Sequence, residues 1–345
     1  MEVEAQETPQ VISRQFADNY TLLEALTVRI QGIRPSVAVT VARGSSDHAA
    51  TFLKYLLETR AGLITSSAAP SVLTLYQKQL PQKNSLVLGI SQSGVTPDVA
   101  EVIWAARKAG AITVGFVNDT DSPLADAAEY IVPLGAGVEK SIAATKTYIA
   151  TLAAFIQFVG IFTGDQVLLN AISELPELLQ QATQKDWSTA MTAYQGCKTT
   201  LVIGRGFGYP IAQEAALKFK EIAKIHAEAF SGAELLHGPL ALVEKEFPLF
   251  LFAQQDETFS GMQAVAKKMK MIGAKVLLAS PMLHESEKDL LDMSSILLPL
   301  PHGIHPVCDT LVMIQAFYCM IAKLSVTRGF NPDAPTHLTK VTKTW

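Results

Sequence analysis

The chain has 345 residues, 49% of them hydrophobic and 17% charged, with a formal net charge of −4. That length fits about two domains, and with no cluster of Lys and Arg a duplex nucleic-acid partner is not expected. Cys197, Cys308 and Cys319 are scattered without a CxxC pair, and Met1–Gln10 lacks the apolar core of a signal peptide, so a reducing cytoplasm is expected.

Taken in chain order, residues 10–31 read as an amphipathic leading helix. Continuous apolar runs at 37–42, 85–90, 112–117 and 130–133 read as strands, and the patterns at 47–59, 97–109 and 144–162 as helices. Tyr148–Phe162 is the longest apolar stretch. It is short for a membrane span and contains Gln157, which makes it a buried helix; no membrane partner is expected. Runs of Val, Ile and Leu between helices imply strands buried on both faces, hence a parallel sheet built from right-handed βαβ units.

The pattern then repeats. Val39–Ser46 resembles Leu201–Gly208, each a β-rich run ending in Arg-Gly, and Arg43 and Arg205 lie 162 residues apart. Ser85–Gly89 matches Phe247–Leu251, Ala111–Val114 matches Ala274–Leu277, and Tyr130–Leu134 matches Ile296–Leu300 at nearly the same offset. Residues 165–195 read as helices leading into the second copy. The expected fold is α/β: two doubly wound parallel-sheet domains in tandem, the first spanning 1–164, the second 165–330, with an irregular tail over 331–345.

Ligands of such sheets bind where loops leave the C-terminal strand ends. Two first-half loops there are rich in hydroxyls: Gly44-Ser45-Ser46, and Ser91-Gln92-Ser93-Gly94-Val95-Thr96 ahead of a helix starting near Pro97. The second loop is either a phosphate grip, with hydroxyls and backbone N–H groups at a helix N-terminus, or a helix cap with spare serines. Gly204-Arg205-Gly206-Phe207-Gly208 is not GxGxxG and reads as a tight strand-to-helix turn, with no dinucleotide expected. Lys218 and Glu221 share a helix face, either as a solvated ion pair or with Glu221 as a general base. His237 lies in a turn-rich segment as an acid/base candidate. His302 and His305 form an HxxH without further ligands nearby, and His284 sits in a charged stretch; neither a metal nor a cofactor is expected.

Arg43-Gly44-Ser45-Ser46, Ser91–Thr96 and the run from Ile222 through His226-Ala227-Glu228-Ala229-Phe230 to His237-Gly238-Pro239-Leu240-Ala241 resemble tandem sugar-isomerase (SIS) domains, in particular the isomerase half of glucosamine-6-phosphate synthase. The resemblance implies a hexosamine or hexose 6-phosphate ligand at the first copy's loops, with Ser46, Ser91, Gln92, Ser93 and Thr96 on the phosphate. It implies that Glu221 moves a proton between C1 and C2. It also implies that His237 opens the sugar ring from the neighbouring subunit of a homodimer, and that Lys340 meets the carbonyl end. Glu139 and the turn Ile142-Ala143-Ala144 match the loop lining the sugar, and Lys218 a lysine of the same site. Val95 stands where the family has Glu, Ala144 where it has Ser, and the tail after Lys340 differs. The chain opens Met1-Glu2 without a glutaminase domain, so it is expected to release ammonia from glucosamine 6-phosphate rather than take it from glutamine. The alternatives within the family are a galactosamine-6-phosphate deaminase/isomerase and a fructosamine-6-phosphate deglycase; outside it, a non-catalytic sugar-phosphate sensor.

Overall fold

The computed structural model describes residues 1–283 and 287–340. In chain order its elements are α1 (Glu2–Ile33), β1 (Val37–Val41), α2 (Ser45–Arg60), β2 (Ile64–Ser67), α3 (Pro70–Thr74), β3 (Leu86–Ser91), α4 (Pro97–Lys108), β4 (Ile112–Val117), α5 (Pro123–Ala127), β5 (Tyr130–Pro133), α6 (Lys146–Thr163) and α7 (Gln166–Thr183). There follow α8 (Ser188–Tyr194), β6 (Thr199–Gly204), α9 (Gly208–Ala223), β7 (His226–Ser231), β8 (Pro248–Phe252), α10 (Phe259–Ile272), β9 (Lys275–Ala279), α11 (Glu287–Met293), β10 (Ile296–Leu298) and α12 (Pro306–Thr327).

Two compact units result. The first takes Gln10–Glu139, Lys146–Ser173 and the described tail from Thr339; the second takes Met1–Pro9, Lys140–Thr145 and Glu174–Leu338. Each holds one five-stranded, all-parallel sheet, in the order β2-β1-β3-β4-β5 in the first and β7-β6-β8-β9-β10 in the second. The order is the same in both, so the repeat in the sequence is a repeat in space. Two tandem doubly wound α/β folds were expected, and two are present.

Burial explains why these residues form these strands. Every residue of β3 and β4 is buried, which only a sheet covered on both faces allows. In the first unit Phe116 of β4 meets Phe155 of α6 edge to face at 4.8 Å. In the second, Phe317 of α12 lies 5.3 Å from Phe219 and 5.6 Å from Phe250. Helices α6 and α12 are long and apolar enough to cross a membrane, but their apolar windows are 83% and 94% buried. Each is the core helix of its own unit.

The strand-to-helix turn expected at Gly204–Gly208 is very tight. A Cβ on Gly204 would stand 2.1 Å from the Gly208 carbonyl oxygen, so only glycine fits. His305, one half of the HxxH, accepts the Val307 N–H on Nδ1 at 3.2 Å and caps α12.

Asp309, in the first turn of α12, is 1% exposed. Its Oδ1 accepts the Ile304 N–H at 3.0 Å and the His305 N–H at 3.4 Å. Burial outweighs these two bonds and pushes the carboxyl up to about 6. The folded chain therefore holds a proton that the unfolded chain releases near pH 4. Stability from this group falls as pH rises from about 4 to about 6 and stays low above that. Asp309→Asn keeps the acceptor and removes the charge. It is expected to gain on the wild type by an amount on the order of 3 kcal/mol between pH 4 and pH 8. Denaturant midpoints at the two pH values measure this; an equal difference at both would refute it.

Candidate active site

In the first unit the chain leaves β1 towards β2 and leaves β3 towards β4, on opposite sides, so the loops after β1 and β3 part at the strands' C-terminal ends. The two hydroxyl-rich segments fall on these loops. Ser45 and Ser46 open α2, and Ser91 ends β3, with Gln92–Thr96 leading into α4. Gly94 has φ +67, and its N–H donates to Ser91 Oγ at 3.0 Å. Gly94 O accepts the Leu124 N–H at 3.0 Å. Neither Gly44 nor Thr96, the cap positions of α2 and α4, makes a side-chain cap bond. The reading of this segment as a cap therefore fails for Thr96. Among the described residues the cap position of neither helix spends a side chain on its first turn, and helix starts of this kind suit an anion.

Carboxylates also sit at these helix starts. Asp98, in the first turn of α4, is 1% exposed and accepts Arg43 Nε at 2.9 Å and Nη2 at 2.5 Å on the same Oδ2. Burial pushes the Asp47 carboxyl up, partly offset by His48 and Arg43.

In the second unit α9 carries an acid–lysine–acid cluster. Lys218 Nζ lies 2.7 Å from Glu221 Oε2 and 3.1 Å from Glu214 Oε1. Tyr318 donates its hydroxyl to Glu214 Oε1 at 2.9 Å. Lys218 and Glu214 are buried, and only Glu221, at 21%, reaches solvent. A solvated ion pair, one of the two expectations for Lys218 and Glu221, is therefore excluded. Burial alone would push the Lys218 ammonium down, but Glu214 and Glu221 outweigh it and hold it above the usual lysine range. The cluster is a fixed positive charge between two carboxylates, one of them open to a ligand. Glu214 and Tyr318 were missed in the sequence. The i,i+4 spacing of Glu214 and Lys218 was available as a signal; nothing local marks Tyr318.

Helix α9 ends at Ala223, where Lys224 takes φ +52, and β7 begins at His226. His237 is exposed between two short 3-10 turns, Glu234–Leu236 and Pro239–Leu242. It lines a cavity of about 330 Å³ with Arg205 and Lys268. In the first unit the Glu139 side chain is buried; it accepts Thr147 N–H and Oγ1–H at 3.3 and 3.0 Å and pairs with Lys340 Nζ at 3.3 Å. Ala143 is buried and Ala144 half-buried in the second unit's Lys140–Thr145 segment, which Asp333 holds through Ile142 N–H at 3.1 Å and Ser141 Oγ at 2.9 Å. His284 and the tail beyond Lys340 lie outside the described residues. No group of three or more His, Cys, Asp or Glu that could hold a metal occurs among the described residues.

Fold and loops together define a tandem α/β protein with hydroxyl-rich loops at the C-terminal strand ends of its first sheet. The SIS domain profile matches residues 36–160 and 194–290, and the chain belongs to the SIS domain family. A glutamine–fructose-6-phosphate aminotransferase (isomerizing) of Thermotoga maritima is 31% identical over 95% of this chain and 54% of its own length. The chain thus spans about half the length of the curated relatives it matches. A solved chain from Silicibacter pomeroyi DSS-3, provisionally named a phosphosugar isomerase, is 33% identical with a TM-score of 0.89, covering 96% of this chain and 99% of that one. The C-terminal domain of a glucosamine-fructose-6-phosphate aminotransferase from Francisella tularensis is 26% identical with a TM-score of 0.86, covering 96% and 97%.

Proposed function

We propose that this chain is a glucosamine-6-phosphate deaminase, converting glucosamine 6-phosphate and water to fructose 6-phosphate and ammonia. The observation that carries the chemistry is the Lys218–Glu221 contact of 2.7 Å, with a buried lysine behind a partly exposed carboxylate. The first unit's Ser46, Ser91, Gln92, Ser93 and Thr96, with the N–H groups of the α2 and α4 first turns, bind the phosphate and orient the sugar. Gly44 and Ser45 shape the same grip.

His237, supplied by the partner of a homodimer, opens the ring. Glu221 then takes the C2 proton from the open-chain aldehyde and delivers it to C1. The electron pair moves through an enol-like intermediate, leaving a hydroxyl on C1 and an imine on C2. Water adds to the imine carbon and ammonia leaves, giving the ketone. Lys218 and Lys340 place positive charge where the oxygens become anionic. Glu139, Ala143 and Ala144 line the sugar. No cofactor enters the sequence of steps, and a reducing cytoplasm suits it. The reading is supported by a relative named a glutamine–fructose-6-phosphate aminotransferase (isomerizing), since interconverting a 2-ketose and an aldose requires a proton to move between C1 and C2.

Release of ammonia or amine from glucosamine 6-phosphate, galactosamine 6-phosphate and fructoselysine 6-phosphate tests the proposal. Glucosamine 6-phosphate is expected to react fastest. Faster release from either of the others would reassign the substrate within the family, and tight binding without turnover of any would make the chain a sensor.

A further inference from the structure

Two carboxylates stand in the first turns of the helices assigned to the phosphate, Asp47 on α2 and Asp98 on α4. Unliganded, they complement the helix dipoles; to a phosphate dianion they are repulsive. The cation that faces them is Arg43, the residue before Gly44-Ser45-Ser46, with His48 also beside Asp47. Arg43 spends Nε and Nη2 on a single oxygen of Asp98, and its side chain is 49% exposed. Among the described residues Nη1 makes no hydrogen bond. A guanidinium held along one edge and open along the other is a preorganised donor for a phosphate.

The internal repeat supplies an independent comparison. Arg205 occupies the corresponding place in the second unit, but Ser260 stands where Asp98 would be. There the guanidinium rests over Gly261, whose Cβ would lie 2.9 Å from Arg205 Nη1. Beside it Asp256 accepts Thr258 N–H at 2.8 Å and Thr258 Oγ1–H at 2.5 Å, and Gln254 Nε2 donates to Arg205 O at 2.7 Å. Among the described residues the arginine has an acid anchor in the first copy, beside the hydroxyl-rich loop, and none in the second.

We propose that Arg43 binds the substrate's phosphate, with Asp98 as the positioning residue that presents it. The inference rests on the assignment of the phosphate to the Ser91–Thr96 loop. Removing Arg43 alone would leave Asp98 buried without its cation, so the informative variant is Arg43→Met with Asp98→Asn, which leaves the net charge of the pair unchanged. Calorimetric titration with fructose 6-phosphate, the proposed product, which cannot be aminated without ammonia, is expected to show binding to the wild type and affinity lower by about 30-fold in the double variant, the loss of a charge-assisted contact. Turnover is read alongside, and KM is expected to rise by a larger factor than kcat falls. Wild-type affinity in a double variant with a native near-ultraviolet circular dichroism spectrum would show that Arg43 only neutralises Asp98, and would overturn the inference. No binding to the wild type would overturn the phosphate assignment itself. If the double variant does not fold, Arg43→Lys decides: it keeps the charge and loses the fork, so affinity is expected to drop about fivefold, and unchanged affinity overturns the inference.

Discussion

Glu221→Gln is expected to lower kcat by about a thousandfold, within the range a positioned general base supplies, while the dissociation constant for glucosamine 6-phosphate changes by less than about threefold. Gln is nearly isosteric and still offers Lys218 an acceptor at the 2.7 Å contact. Lys218 also keeps its buried pair with Glu214, so the substitution leaves no uncompensated charge inside the second unit. What disappears is a carboxylate able to take a proton from carbon. Binding survives because the phosphate is assigned to the first unit's loops, which Glu221 does not build. Turnover within about tenfold of the wild type would remove Glu221 from the role of base.

Gly94→Ala is expected to weaken sugar-phosphate binding by at least about a hundredfold and to cost on the order of 2 kcal/mol of stability. Two effects coincide at this position. The backbone is left-handed at φ +67, and a Cβ would fall 2.0 Å from Ser122 Oγ, 2.6 Å from Ser122 Cβ and 2.9 Å from Val117 Cγ2. Ser122 cannot step aside freely, since it is buried and its Oγ donates to Asp119 O at 2.7 Å. The loop must move instead, taking Ser93 and Thr96 with it. Gly62→Ala serves as the control: Gly62 has φ +62 but nothing within 4 Å of the built Cβ. It carries the conformational cost alone, about 1 kcal/mol with binding unchanged. Equal loss of binding in both variants would show that backbone strain, not the crowding at Ser122, governs the loop.

The buried strands were legible because nothing competes with a continuous apolar run: Leu86–Ser91 and Ile112–Val117 lie where 85–90 and 112–117 were expected. The edge strands were not. Ile64–Ser67 reads Ile-Thr-Ser-Ser with only Thr65 buried, and His226–Ser231 reads His-Ala-Glu-Ala-Phe-Ser with only Ala227 buried, so neither shows the run that marks a covered strand. They lie 162 residues apart like their neighbours, and the repeat could have found them where hydropathy could not. At the site, the serines and glycine after β3 were visible as a cluster of contiguous types. The α9 cluster was half visible: spacing put Lys218 and Glu221 on one face, but whether that face meets water depends on α12, which packs Tyr318 against Glu214 from 104 residues away. Arg43 and Asp98, 55 residues apart, are joined only by the adjacency of β1 and β3.

The central claim is that this chain removes the amino group of a hexosamine phosphate through a proton transfer at C2. Incubation of the purified protein with glucosamine 6-phosphate, with ammonia and fructose 6-phosphate assayed together, tests it most directly. Equimolar appearance of both without added cofactor is the expected result. Fructose 6-phosphate and ammonia both absent, with the sugar phosphate demonstrably bound, would contradict it.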